Sequence, residues 1–201
     1  FGSNAIIATL LNQGVAFDSQ PIQLLGLLGG AAPALGAIYI VFKFYKEEEK
    51  KDYWGDVYRF KVSVNWWLFV FLAPLLIGFL ANLVVHQSIS FVELVVGDII
   101  AFPIIFGVMI FAGGAEELGW RGIMQKYMQK SISLPVVGVV IGIVWGLWHL
   151  PLFLIEGFAH YDYNFITYLL MTILFSLLMT GMVYKTKSIG LAVLFHAGIN
   201  A

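Results

Sequence analysis

Blocks of about twenty consecutive apolar residues, separated by short charged connections, run through the chain and constrain its fold more than any other feature. Twenty helical residues rise about 30 Å, the thickness of a bilayer's hydrocarbon core. Five complete blocks are legible, approximately Ile22 to Phe44, Val62 to Val85, Ile99 to Ala115, Pro135 to Ile155 and Phe165 to Tyr184, and a sixth begins near Ile189. Residues 1 to 20 are too short and too polar to assign. In hydrocarbon every backbone N–H and C=O must be satisfied within the protein, so each block is a helix or part of a closed barrel. Unbroken apolar runs, rather than ten-residue alternation, select helices. Composition agrees: 60% of the 201 residues are hydrophobic and 11% charged, whereas a soluble domain carries about 25% charged residues. The expected fold is all-α, a polytopic transmembrane helix bundle forming a single domain over residues 1–201. The chain starts at Phe1 and its last polar pattern runs to its end, so a fragment lacking spans at one or both ends is expected.

All eleven Lys and Arg fall at alternate connections. Lys43, Lys46, Lys50, Lys51, Arg59 and Lys61 lie between the first two blocks, Arg121, Lys126 and Lys130 after the third, Lys185 and Lys187 after the fifth. The opposite connections hold His86, Glu93, Asp98, Glu156, His160 and Asp162. By the positive-inside rule the basic side is cytoplasmic. The segment from Lys46 to Lys61 reads as a solvated connection, with Tyr53, Trp54, Tyr58, Trp66 and Trp67 as an interfacial aromatic belt. Gly138, Gly142 and Gly146 repeat at helical spacing and predict close helix packing. With no cysteine, disulfides and thiolate metal sites are excluded.

Against this background a few polar residues stand at membrane depth, where each ionisable group costs about 2.5–3.5 kcal/mol on insertion scales. They are Glu116, Glu117 and Arg121 in E-E-L-G-W-R, His149 in W-G-L-W-H after Trp145, and His196 with Asn200 in H-A-G-I-N. Asp98, with Glu93, is a weaker candidate at the outer end of the third block. Counted from the basic side, Glu116 lies about 15 Å deep, His196 about 14 Å and His149 about 21 Å before tilt. Three helices thus carry an acid or an imidazole to similar depth. Glu117 and Arg121 stand four residues apart and can pair on one helix face, as can His196 and Asn200. Glu116 then points elsewhere, which suggests one structural carboxylate and one chemical one.

Two imidazoles, a carboxylate and an amide suit the activation of water. A carboxylate in low dielectric gains basicity, and Asn200 or a protonated imidazole can donate to a developing oxyanion. Zinc held by Glu116, His149 and His196 is an equally open reading, since two His and a carboxylate form a hydrolytic zinc set. No H-E-x-x-H is present, and the span serines, such as Ser176, lie outside any G-x-S-x-G context.

Together, E-E-x-x-x-R at Glu116, Glu117 and Arg121, W-x-x-x-H at Trp145 and His149, and H-x-x-x-N at His196 and Asn200 resemble the CPBP family of CAAX prenyl endopeptidases and bacteriocin-processing intramembrane proteases. G-G-A-A-P-A-L-G-A around Pro33 is similar to that family's early span. Trp145 stands where the family most often has Phe. The resemblance implies an intramembrane endopeptidase with a cytoplasm-open cavity in a prokaryotic cell membrane. Glu116 would be the water-activating base, His149, His196 and Asn200 would complete the site, and Glu117, Arg121 and Trp145 would support it. It implies a peptide or protein substrate, prenylated or bacteriocin-like, contact with membrane lipid, and no nucleic-acid partner; zinc is an optional cofactor. The rival readings are a non-catalytic membrane partner, such as a bacteriocin self-immunity or scaffold protein, and an ion or proton carrier using the same buried groups.

Overall fold

A computed structural model describes the backbone of residues 2–86 and 91–201, and the side chains of those residues except 2, 4, 23, 27, 81–86 and 91–100. All regular secondary structure among the described residues is helical, without strands. In order, α1 is Gly2–Asn12, α2 Gln20–Phe44, α3 Glu47–Val57, α4 Val64–His86 and α5 Phe91–Ala112. Short turns follow: a 3₁₀ turn Gly114–Glu116, α6 (Glu117–Gly119), a π-helical stretch Trp120–Gln125 and α7 (Lys126–Met128). The chain continues with α8 (Leu134–His149), a 3₁₀ turn Leu150–Phe153, α9 (Phe165–Thr186) and α10 (Ile189–Asn200). The long helices fall on the apolar blocks of the sequence. Ala101–Met128, Leu134–Phe153 and Phe165–Thr186 are long and apolar enough to cross a membrane, while Val64–Leu80 and Ile189–Asn200 are shorter apolar helices. The side chains of His86, Glu93 and Asp98 lie outside the described residues.

Helix boundaries follow local chemistry. Asn164 and Ser188 cap α9 and α10 by accepting from the backbone N–H of Thr167 and Leu191, satisfying donors that the first turn leaves open. Pro135 sits in the first turn of α8, where its missing N–H costs nothing. Large apolar side chains face outward along the spans, among them Phe111, Leu170 and Leu174. A soluble surface would not tolerate so wide an apolar face, which suits the hydrocarbon of a bilayer.

The tightest seam joins α8 to α9. A Cβ on Gly142 would lie 2.5 Å from the Ile173 Cα, and one on Gly138 would lie 2.8 Å from a Leu177 methyl. Small residues thus let the two backbones touch, as the glycine repeat predicts. Ser176 and Thr172 donate across the same seam to the carbonyls of Gly138 at 2.7 Å and Gly142 at 3.1 Å. The core beside it gathers Trp120, Ile141, Trp145, Met179, Leu191 and Phe195, with Phe195 stacked on Phe69 of α4 at 5.3 Å.

Two expectations are corrected. The connection from Lys46 to Lys61 contains a helix docked on the bundle, and Tyr53 is fully buried rather than interfacial. Its hydroxyl donates to the Leu118 carbonyl at 2.9 Å, and its ring fills the space left by Gly122; burial pushes its pKa up. Arg121, counted both with the basic connections and with the residues at membrane depth, lies at depth, being 1% exposed within the bundle.

Candidate active site

The site is built where α5 breaks. After Ala112 the backbone leaves the α-helix at Gly113, with φ −133° and ψ −54°, and tightens into the 3₁₀ turn that carries Glu116. The two glycines there admit α10. A Cβ on Gly113 would collide with the Asn200 Nδ2 and lie 3.5 Å from the His196 Nε2, and one on Gly114 would strike the Val193 carbonyl. The π-helical stretch then carries Arg121 and Gln125, both buried, toward α9. Such π segments are rare and cluster at functional sites.

Glu117 is the hub of the polar set. Its Oε1 accepts from the Nδ1 of His196 at 2.8 Å, and its Oε2 lies 3.2 Å from the Nε of Arg121. Carboxylate and guanidinium are both fully buried. The Arg121 Nη2 also reaches the Ser176 carbonyl at 3.5 Å, and Gln125 donates to the Thr180 carbonyl at 3.0 Å. A buried ion pair with these extra partners is costly to break, because either half alone would be a bare charge in low dielectric.

Glu116 has a different neighbourhood. Its carboxylate is 4% exposed, forms no ion pair among the described residues, and accepts from the Trp120 indole N–H at 3.0 Å. The Trp145 indole N–H lies near enough to interact with the same carboxylate but outside full hydrogen-bond geometry. Trp145 also packs edge-on against the His196 ring at 4.8 Å, and its carbonyl lies 2.9 Å from the Nδ1 of His149. A carbonyl only accepts, so that Nδ1 carries the proton and His149 turns its Nε2 lone pair elsewhere. His196, with its Nδ1 proton committed to Glu117, does the same.

These groups share one cavity of about 710 Å³, lined by Glu116, Trp145, His149, His196 and Asn200. The four residues read as catalytic are therefore brought together, with Trp145 at their centre, while Glu117 and Arg121 sit behind the wall. The remaining lining includes residues of α1, the first half of α2, the end of α5, residues 157–160 and Tyr168 near the start of α9.

Sequence reasoning missed Trp120, Tyr168 and His160 as parts of the site. Trp120 was legible, four residues after Glu116 in the same motif. Tyr168 and His160 were not, because they reach His149 only through tertiary contact, at 5.6 and 5.9 Å between rings. Burial lowers the pKa of His160, favouring its neutral form beside the cavity.

Chemically, the wall offers an unpaired carboxylate, two imidazole Nε2 atoms and an amide. Among the described residues no three His, Asp or Glu side chains converge to share a metal ion. That arrangement does not fit a zinc set, and no step below runs through one.

Comparison with known proteins bears out the family resemblance. The sequence model described as type II CAAX prenyl endopeptidase Rce1-like matches residues 98–201, from α5 through α10. A curated relative, CAAX prenyl protease 2 of Methanococcus maripaludis, is 29% identical over 191 residues, covering 88% of this chain and 70% of that protein.

Proposed function

The chain belongs to the Rce1-like family of type II CAAX prenyl endopeptidases, and from that premise we propose that it hydrolyses a peptide bond with water activated by Glu116. One observation carries the assignment: of two adjacent buried glutamates, Glu117 is consumed by Arg121 and His196, while Glu116 meets the cavity and, among the described residues, forms no ion pair and accepts from the Trp120 indole. A carboxylate held in low dielectric without a cation is the group suited to take a proton from water.

The step proceeds as follows. Glu116 takes one proton from a water molecule, whose oxygen bonds to the scissile carbonyl carbon. Asn200 donates from Nδ2 to the oxyanion that develops. His149 and His196, each with Nδ1 committed, present Nε2 as acceptors that orient the water or the substrate's N–H groups. As the C–N bond breaks, Glu116 returns the proton to the leaving amine. The name of the curated relative supports a prenylated CAAX peptide as substrate; a bacteriocin-like peptide is the alternative.

The test uses purified protein and a farnesylated CAAX peptide. Glu116→Gln should lower kcat about 10²–10⁴-fold, the usual contribution of a general base, at unchanged membrane abundance. His149→Ala and His196→Ala should also be inactive, and a chelator should leave the wild-type rate unchanged. Full activity in Glu116→Gln would overturn the base assignment. Loss of activity on chelation, restored by zinc, would overturn water activation without metal. A biological phenotype retained in Glu116→Gln/His149→Ala would favour the non-catalytic partner.

A further inference from the structure

Trp145 presents an unused donor at the centre of the site. It is 3% exposed, and its indole N–H has no partner in full hydrogen-bond geometry among the described residues. A buried N–H left unsatisfied is costly, so its persistence calls for a use. Its ring meets His196 at 4.8 Å, its backbone carbonyl holds the Nδ1 of His149 at 2.9 Å, and its N–H lies within interaction reach of the Glu116 carboxylate, both lining the same cavity. Trp120 already donates to Oε2 of Glu116 at 3.0 Å. The other carboxylate oxygen still has acceptor capacity, because an ionised carboxylate offers about four lone-pair sites.

We propose that Trp145 is a positioning residue whose indole N–H closes a second hydrogen bond on Glu116 when the cavity is filled, so that the carboxylate is clamped between two indoles. The inference rests on Glu116 being the base. A base held by two neutral donors keeps a fixed rotamer without a neighbouring cation to quench it. An aromatic ring without N–H would conserve the packing on His196 and the carbonyl to His149, but not the clamp.

Trp145→Phe separates these roles. With the farnesylated peptide, kcat should fall about tenfold, one hydrogen bond's worth, while KM stays within twofold and thermal stability holds. Trp145→Ala, which also removes the packing, should lose folded protein. A spectroscopic measurement stands apart from activity. The chain has six tryptophans, so indole-¹⁵N labelling gives a small set of N–H signals, and Trp145→Phe identifies the one from Trp145. With the farnesylated peptide bound to the slow Glu116→Asp variant and to the wild type, that signal should differ. It should also move upfield in peptide-bound Glu116→Gln, where a weaker acceptor replaces the carboxylate. A Trp145 signal indifferent to Glu116→Gln, or a Trp145→Phe enzyme with wild-type kcat, would overturn the clamp. Full activity in Glu116→Gln would instead overturn the base reading, a wild type inactive on this peptide would overturn the prenylated substrate, and in either case the indole signal of wild type against Glu116→Gln would still decide whether Trp145 contacts Glu116.

Discussion

Glu116 and Glu117 are neighbours in the chain, yet the break after Gly113 turns their carboxylates into different surroundings. One faces a cavity and the other closes a buried ion pair with Arg121 while orienting His196. Their substitutions should therefore fail in different ways. Glu117→Ala strands the Arg121 guanidinium, which is fully buried. Breaking a buried pair from one side costs about 3–5 kcal/mol, a large part of a protein's stability. The expected result is low membrane abundance and a clearly reduced unfolding midpoint in detergent. Glu116→Gln strands no cation and keeps the Trp120 contact through its amide oxygen, so its midpoint should match the wild type while activity is lost. Equal loss of folded protein in both variants would dissolve the distinction between supporting and reacting carboxylate.

At the scale of helices, the seam between α8 and α9 decides whether His149 reaches the cavity, because α8 carries His149 at its last turn. Gly142 has no room for a methyl group, the nearest atom being the backbone of Ile173. Gly142→Ala must part the helices, and overpacking of this kind costs about 1–3 kcal/mol. Gly181, on α9, has nothing within 4 Å of the corresponding position, and Gly181→Ala should stay within about 1 kcal/mol of wild type. Thermal unfolding of the two variants checks the contrast; equal midpoints would remove the seam from the argument. The seam was legible because glycines four residues apart have one helical meaning. The polar motifs were legible for the same reason: Glu117 with Arg121 and Glu116 with Trp120 are pairs within one turn. What the sequence concealed depends on long-range contact. The hydrogen bond from His196 to Glu117 spans 79 residues, and Tyr168 meets His149 only because α8 and α9 fold back together. The π-helical stretch has no periodic signature that a string of residues displays, although the pairing of Arg121 with Glu117 inside it was legible from their spacing.

For the molecule as a whole, orientation controls which peptides can reach Glu116. With Arg121 buried, the other basic residues still fall on one side, and Lys126 lies 3.9 Å from Asp56 of α3, tying two basic connections together. The positive-inside rule predicts that this side faces the cytoplasm. The chain has no cysteine, so single cysteines report accessibility without background. Lys51, Lys185 and Asp162 are all exposed. Asp162→Cys should react with an impermeant maleimide added to intact cells, whereas Lys51→Cys and Lys185→Cys should react only in inverted vesicles. The cavity lining at residues 157–160 lies at the Asp162 end. The expected labelling therefore sets the loop beside the site away from the cytoplasm, and a cytoplasmic peptide would have to approach between helices from the lipid. The reverse labelling would break the charge rule for this chain and place that loop in the cytoplasm, giving a cytoplasmic peptide a direct aqueous path to Glu116.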